Sequence, residues 1–188
     1  MKLNKLMFRE YDIRGIWNED ITEEISYYIG RAYATKLLSL KKNKMIVGYD
    51  NRLSSPIIEK NLVKGLTDGG VDVVRLGLVT TPMYYYAWNK LNIHCGIMIT
   101  ASHNPKEYNG FKMSYNGIHN MFGKDVSDLY YVIINGIYSE GNGMIEYADI
   151  KEDYVKMIHN HIDMGNNKLK VVYDCGNGTT SIVAHDIF

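Results

Sequence analysis

The sequence predicts an α/β protein: a three-layer, doubly wound, mostly parallel (mixed) sheet with helices on both faces. Short apolar runs of the kind found in buried strands alternate along the chain with amphipathic segments of helical period. The segments between consecutive strands are long enough to hold a helix, as crossovers between parallel strands require. With 188 residues, the chain can form one full domain with some residues left over.

The first helix is predicted from Ile21 to about Leu40. Asp20 and Glu23 have the spacing of a capping pair at its start. Apolar side chains then recur every four residues, so that one face of the helix can be buried. These side chains are Ile21, Ile25, Ile29, Tyr33 and Leu37.

The remaining elements alternate in the same way. Helices are expected to start at Ser55-Pro56 and at Thr81-Pro82, because proline suits the first helical position. The pair Gly69-Gly70 is typical of a helix end. Strands are predicted at 44–49, 71–76, 94–100 and 111–115, and further helices at 125–134 and 151–162.

The chain divides into three predicted parts: a first domain (1–162), a linker (163–168) and the start of a second unit (169–188). The second unit would open with a strand at 169–173. A strand and half a helix cannot bury a core of their own. Either these residues dock on the first domain, or the chain is the front part of a longer protein. We expect the second.

Composition excludes several classes of function. Lys plus Arg equals Asp plus Glu at 21 each, so the chain lacks the basic excess of nucleic-acid or anionic-membrane binders. No run of 18 apolar residues predicts a membrane span, and the charged N-terminus does not resemble a signal peptide. Cys95 and Cys175 fall in strand-like runs and are expected to be buried, reduced thiols. We therefore expect a cytoplasmic protein with no nucleic-acid or membrane partner.

The segment TASHNPKEYNGFK (100–112) concentrates polar chemistry in one loop. Ser102 follows the third predicted strand, and in open α/β sheets ligands bind outside the carboxyl ends of the strands. A hydrolytic pair with His103 is disfavoured, because adjacent side chains usually diverge and the motif G-x-S-x-G is absent. Taken alone, the segment is equally typical of a polar loop capped by Asn and Pro.

Two further segments accompany this loop: FREYDIRG (8–15) and GYDNRLSS (48–55). Together the three resemble the α-D-phosphohexomutases, the phosphoglucomutase and phosphomannomutase family. They look like its N-terminal arginine motif, its strand-end turn and its phosphoserine loop, in the same order. The resemblance covers residues 8–112 by motif, and residues 169–188 are similar to the start of the family's second domain.

The resemblance implies a fold of four domains around one cleft and the interconversion of hexose 1-phosphate and hexose 6-phosphate. Ser102 would carry a phosphoryl group, give it to the sugar and receive the other phosphate back from a bisphosphorylated intermediate. Lys112 would be the general acid/base, and an Asn109-Gly110 turn would bring it toward the serine. Arg14 would offer two parallel donors to phosphate oxygens, which lysine cannot do.

The resemblance implies less definite roles for several other residues. His103 would help proton transfer or contact phosphate, although a structural imidazole remains an alternative. Asn104 and Tyr11 would line the substrate cleft, with core packing as the alternative for Tyr11. Asp50 and Arg52 are expected to brace the loops by an ion pair.

The family's Mg²⁺ lies between the serine phosphate and three aspartates of a D-G-D-x-D-R loop, and no D-x-D occurs in these 188 residues. Ser102, through its phosphate, would be the only metal ligand in the chain, which is too few for Mg²⁺. We therefore expect the remaining mutase domains as partners and no turnover by this chain alone. Hexose 1,6-bisphosphate would be the intermediate and activator. The sequence of the loop favours glucose or mannose phosphates over glucosamine phosphates as substrates. The alternative is a free-standing, non-catalytic module that binds sugar phosphates or a partner.

Overall fold

A computed structural model of the chain describes residues 2–117, 119–163, 165 and 169–188. These residues form one six-stranded mixed sheet with the strand order β1-β5-β4-β2-β3-β6. The strands are β1 Ile13–Ile16, β2 Lys44–Tyr49, β3 Asp72–Leu78, β4 Gly96–Ile99, β5 Tyr108–Ser114 and β6 Ile145–Tyr147. The helices are α1 Glu23–Ser39, α2 Ser55–Asp68, α3 Thr81–Lys90, α4 Lys124–Asn135, α5 Lys151–His161 and α6 Ala184–Ile187.

The sheet is mostly parallel, as predicted. Strands β4, β2, β3 and β6 run parallel to one another, while β5 pairs antiparallel with both β4 and β1. Alternate residues of a strand face opposite sides of the sheet. In β2, Met45 and Val47 join the core under α1, α2 and α4, whereas Ile46 joins the core under α3 and α5. The predicted three-layer α/β class, with helices on both faces, is confirmed.

Helices α1 and α2 cross at very close range because each presents a glycine to the other. A Cβ atom added at Gly30 would strike the backbone oxygen of Leu62, and one added at Gly65 would strike that of Tyr27. Glycine is therefore needed at both positions for reasons of space. The crossing fixes α2, and with it the loop between β2 and α2.

The start of α1 differs from the prediction. The helix begins at Glu23, and the Thr22 hydroxyl accepts a hydrogen bond from the Ile25 N–H at 3.2 Å. Asp20 is not the cap, because its carboxylate instead accepts a hydrogen bond from the Ile16 N–H at 3.0 Å. That bond, together with one from the Asn4 side chain, lowers the pKa of Asp20.

The predicted strand at 169–173 is wrong. These residues pair with no strand of the described chain, and Leu169 and Val172 are exposed. A β-strand is stabilised only by a hydrogen-bonded neighbour, which an apolar run does not supply by itself. The predicted linker lies largely outside the described residues, of which it contains only Asp163 and Gly165.

The C-terminal residues do dock on the first domain. Val183 and Ala184 are buried, and the Lys151 ammonium pairs with the Asp186 carboxylate at 2.8 Å. The backbone N–H of Asn51 donates to the Thr179 hydroxyl at 3.1 Å. This contact brings the 3₁₀ turn Thr179–Ile182 to the carboxyl edge of the sheet.

Two further sequence expectations concern cysteines and membranes. Cys95 is buried, and burial raises the pKa of its thiol. Cys175 is only partly buried, so the expectation of a buried thiol is wrong there. Within the described ranges, none of the helices has the length and apolar character needed to cross a membrane.

Candidate active site

A cleft of about 1180 Å³ lies at the carboxyl edge of the parallel strands. Its walls come from five segments that lie at one edge of the sheet. The loop after β4 contributes Ser102, His103 and Asn104. The other walls are 16–19 at the end of β1, 50–54 after β2, 79–82 at the start of α3, and 176–180 near the C-terminus.

Ser102 is exposed on the wall of this cleft and has an unusual backbone. Its φ angle is +56°, in the left-handed region that residues other than glycine seldom occupy. Two contacts hold this geometry: the Ser102 N–H donates to the Thr100 hydroxyl at 2.9 Å, and its carbonyl accepts from Arg52 at 3.1 Å. The serine is therefore held in one backbone conformation.

His103 lies closer to Ser102 than the sequence indicates. The Ser102 Oγ and His103 Nδ1 atoms are 3.3 Å apart, so the expectation that the two side chains diverge is wrong. The left-handed turn at Ser102 accounts for the difference, because side chains alternate only along an extended backbone. No described residue hydrogen bonds to the other ring nitrogen, so this pair lacks the third group that orients a nucleophile's base.

Arg14 is tied to the serine loop by a hydrogen bond. From β1, its guanidinium donates to the Asn104 side-chain oxygen at 2.6 Å and to the Asp12 carboxylate at 2.5 Å. Its side chain is 12% exposed, and its Nε atom is buried without a partner among the described residues. Arg14 therefore keeps unused donor capacity beside the loop, and Asn104 already uses its side-chain oxygen for Arg14.

Lys112 lies within β5, and the turn that was predicted to bring it toward the serine is absent. Asn109 and Gly110 are not a turn but part of β5, which extends three residues further toward the N-terminus than expected. In the antiparallel pair β4–β5, Lys112 lies opposite Met98, which lines the cleft. The antiparallel pairing of β4 and β5, rather than a turn, therefore places Lys112 beside β4. Its side chain has no ion pair within the described chain.

Tyr11 lies away from the cleft walls. Its side chain is 70% exposed, so the alternative of core packing is wrong. Neither Tyr11, Arg14 nor Lys112 lines the cleft, whereas Ser102, His103 and Asn104 do. The predicted site residues are thus divided between the cleft wall and its surroundings.

Asp50 and Arg52 do form the predicted ion pair, at 3.2 Å. The pair belongs to a buried polar network that sequence reasoning did not foresee. The Asp50 carboxylate accepts from the Ser55 hydroxyl at 2.7 Å, and Asn109 donates to the Ser54 hydroxyl at 2.8 Å. The network joins the end of β2, the start of α2 and β5.

The C-terminal wall of the cleft was also missed by the sequence analysis, which assigned residues 169–188 to another unit. The Asn51 side chain donates to the Asn177 carbonyl at 2.8 Å and accepts from the Thr179 hydroxyl at 2.9 Å. Nothing in the local sequence signals this pairing, because the partners lie far apart in the chain. These bonds close one side of the cleft.

The described residues do not provide a magnesium site. They contain no group of three or more His, Cys, Asp or Glu side chains that could hold a metal ion. Ser102 supplies a single oxygen, and Mg²⁺ requires near-octahedral oxygen coordination. The metal that the resemblance implies therefore does not fit on these residues alone.

Comparisons with known proteins agree with the motifs. The model of the phosphoglucomutase/phosphomannomutase family, alpha/beta/alpha domain I, matches residues 5–129, which is more than half of the chain. A solved structure of a phosphoglucomutase/phosphomannomutase family protein from Burkholderia thailandensis superposes with a TM-score of 0.93 at 32% identity. It covers 99% of this chain and 42% of that one.

Curated relatives share sequence along nearly the whole chain. A phosphomannomutase/phosphoglucomutase from Pseudomonas aeruginosa is 40% identical over 178 residues, covering 95% of this chain and 38% of its own length. A phosphoglucomutase from Neisseria meningitidis serogroup B is 36% identical, covering 97% and 40%. A phosphoglucosamine mutase from Clostridium kluyveri is 32% identical, covering 97% and 42%. The chain thus spans about two fifths of the length of these relatives.

Proposed function

The chain belongs to the phosphoglucomutase/phosphomannomutase family, and from this membership we propose that it is the phosphoserine-bearing domain of a phosphohexomutase. The complete enzyme would interconvert hexose 1-phosphates and hexose 6-phosphates. The observation that carries the proposal is the exposed hydroxyl of Ser102, held on the wall of the cleft at the carboxyl edge of the sheet.

In the proposed reaction, a phosphoryl group leaves the oxygen of phosphorylated Ser102 and bonds to a hydroxyl oxygen of the bound hexose phosphate. Lys112, as the neutral amine, takes the proton of that hydroxyl, and the released Ser102 oxygen takes up a proton from His103. After the bisphosphorylated sugar reorients, its other phosphoryl group moves to the Ser102 oxygen, whose proton returns to His103, and Lys112 returns its proton to the sugar oxygen left behind. Such transfers depend mostly on positioning and on neutralising charge.

The neighbouring residues have supporting roles in this proposal. A phosphoserine carries close to two negative charges and requires cationic or N–H donors. Arg14, with its unused donor capacity, would contact phosphate oxygens, and Asn104 would hold Arg14 in place while lining the substrate site. His103 would donate to the serine phosphate or relay a proton, and exposed Tyr11 would contact the substrate.

The rest of the enzyme would supply what the described residues lack. The family's magnesium ion neutralises charge on the serine phosphate, and its aspartate ligands would come from another domain of a longer chain. Hexose 1,6-bisphosphate would serve as intermediate and activator. Glucose and mannose phosphates are the proposed substrates, which agrees with higher identity to the Pseudomonas relative than to the Clostridium phosphoglucosamine mutase. A cytoplasmic location stays a prediction.

The test is a Ser102→Ala variant of the full-length protein. We expect loss of hexose phosphate interconversion in a coupled assay, because the phosphoryl carrier is missing, and absence of the one-phosphoryl mass increase that we expect for the wild type. Ser39→Ala, which removes an exposed hydroxyl at the end of α1, is the matched control and should retain both. Normal turnover by Ser102→Ala would refute the proposal.

A second assay uses the 188-residue chain alone. We expect no turnover, because one serine oxygen cannot complete a magnesium site. Turnover at the rate of the full-length enzyme would contradict the division of the site between domains.

A further inference from the structure

The guanidinium of Arg52 lies beneath the serine loop and makes five hydrogen bonds within the protein. One goes from Nε to the Asp50 carboxylate at 3.2 Å. The other four go to backbone carbonyls: Pro105 at 2.6 Å, Tyr108 at 2.9 Å, Asn104 at 2.7 Å and Ser102 at 3.1 Å. A guanidinium has five N–H donors, so Arg52 has none left for a ligand.

Three of these carbonyls belong to the connection between β4 and β5, which includes Ser102, and the fourth, that of Tyr108, lies at the first residue of β5. Because the Ser102 backbone is left-handed, its conformation persists only where the surroundings impose it. The Thr100 hydroxyl holds the N–H of Ser102, and Arg52 holds the carbonyl. The peptide groups on both sides of the serine are therefore constrained, one of them by Arg52.

Arg52 is itself fixed in place. Asp50, its acidic partner, is 8% exposed and also accepts from the Arg52 N–H at 3.1 Å and the Ser55 hydroxyl at 2.7 Å. Asn109, fully buried in β5, donates to the Ser55 hydroxyl at 3.0 Å. The support under the serine loop is thus rigid and buried, rather than a mobile surface side chain.

We propose that Arg52 is a positioning residue of the phosphoryl-transfer site, which holds Ser102 in the conformation that presents its hydroxyl to the cleft. This inference rests on the proposed function of Ser102. Arg52 does not contact the substrate or its phosphate, because all its donors are used inside the protein. Lysine cannot replace it, since an ammonium has three donors and lacks the planar fork.

The experiment compares Arg52→Lys and Arg52→Gln with the wild type in the full-length protein. We would measure the rate of Ser102 phosphorylation by hexose 1,6-bisphosphate, the half-saturating concentration, and hydrogen exchange of the loop amides. For Arg52→Lys we expect a rate at least about tenfold lower with a half-saturating concentration within about twofold, because small misplacements of reacting groups are costly. Faster exchange should be confined to residues 102–108.

The matched control is Arg75→Lys. Arg75 is also paired with a buried carboxylate, that of Glu59, but it makes no contact with the serine loop. We expect this variant to lose thermal stability while its phosphorylation rate stays within about twofold of the wild type. A similar rate loss in both variants would mean that Arg52 acts only through general stability, and would overturn the proposal.

The outcomes separate this inference from the proposed function. If the folded wild-type protein is never phosphorylated at Ser102, the proposed function is refuted. Normal phosphorylation of the wild type together with an unchanged rate in Arg52→Lys and Arg52→Gln would leave that function intact and remove the role of Arg52. If Arg52→Gln fails to fold, the rate and loop exchange of Arg52→Lys decide the question.

Discussion

Asp125 is a single carboxylate that links three parts of the fold. At the start of α4, it accepts from the Lys36 ammonium of α1 at 2.9 Å and from the Tyr115 hydroxyl, just after β5, at 2.7 Å. Burial acts to raise the pKa of Asp125, but these two hydrogen bonds, together with the positive charges of Lys36 and Lys124, outweigh it, and the net pKa is lowered. The ionised form is therefore favoured in the folded protein.

We predict that Asp125 contributes to acid sensitivity. A carboxylate with a lowered folded pKa stabilises the protein above its unfolded pKa of about 4, and this contribution is lost as the pH falls through the folded value. Asp125→Asn should lower the free energy of unfolding at pH 7 by about 1 kcal/mol and flatten its decline below about pH 5. Urea unfolding across this pH range measures both effects.

A double-mutant cycle checks the cause. Lys36→Met and Lys36→Met/Asp125→Asn should show that the two changes are less than additive, because the same contact is removed twice. Strict additivity, or an unchanged acid slope in Asp125→Asn, would contradict the assignment.

Some features of single residues could be predicted from the sequence, and others could not. The position of Ser102 at the end of a strand, and the pairing of Asp50 with Arg52, follow from motif and strand order. The left-handed backbone of Ser102 and the four carbonyls bound by Arg52 do not. They depend on where distant carbonyl groups lie in three dimensions, which residue patterns do not encode. The turn that was predicted to bring Lys112 toward the serine is wrong, because Asn109 and Gly110 belong to β5 and pair with β1.

Among the elements, the crossing of α1 and α2 yields a stability prediction. Gly30→Ala and Gly65→Ala should each lower the free energy of unfolding by about 1–3 kcal/mol, because the new methyl group meets backbone that cannot rotate away. Lys60→Ala, at an exposed position of α2, is the control and should change it by less than about 0.5 kcal/mol.

The double variant sharpens this prediction. Once the helices have separated for one methyl group, the second costs less, so Gly30→Ala/Gly65→Ala should cost less than the sum. Wild-type stability in either single variant would show that the helices are not in close contact.

Elements were predictable where periodicity and burial agreed. Helices α2 and α3 begin at their predicted prolines, and β2 has the predicted bounds. Strand β6 was missed because it has only three residues, too few to establish a period-2 pattern, and all three are exposed. The opposite error at 169–173 has the same origin: pairing depends on a neighbour in space, and apolar character alone does not provide one.

For the molecule as a whole, two of the sixteen tyrosines report on global unfolding. Tyr33 and Tyr84 are fully buried, and burial raises the pKa of both hydroxyls well above the usual value of 10.0. Groups with raised folded pKa values stabilise the protein below the unfolded pKa, and this contribution is lost as the pH rises above it. We therefore predict that the protein unfolds as the pH rises above the usual tyrosine pKa.

An alkaline titration tests this prediction: phenolate absorbance measures tyrosine ionisation, and far-ultraviolet circular dichroism measures the loss of helices. We expect Tyr33 and Tyr84 to ionise only together with the loss of helical signal. Tyr33→Phe should reduce the late absorbance step, whereas Tyr11→Phe, at an exposed side chain, should reduce the early one. A late step unchanged in Tyr33→Phe would contradict the assignment.

The ends of the sheet have a consequence for behaviour at high concentration. The outer strands of the described sheet, β1 and β6, have only four and three residues, and the middle residue of β6, Glu146, carries a charge that pairs with Lys44. Short borders that carry charge offer few unpaired backbone groups to another molecule. Concentrated samples should therefore resist strand-to-strand aggregation and the growth of amyloid-like fibres, even though the strands between these borders are strongly apolar.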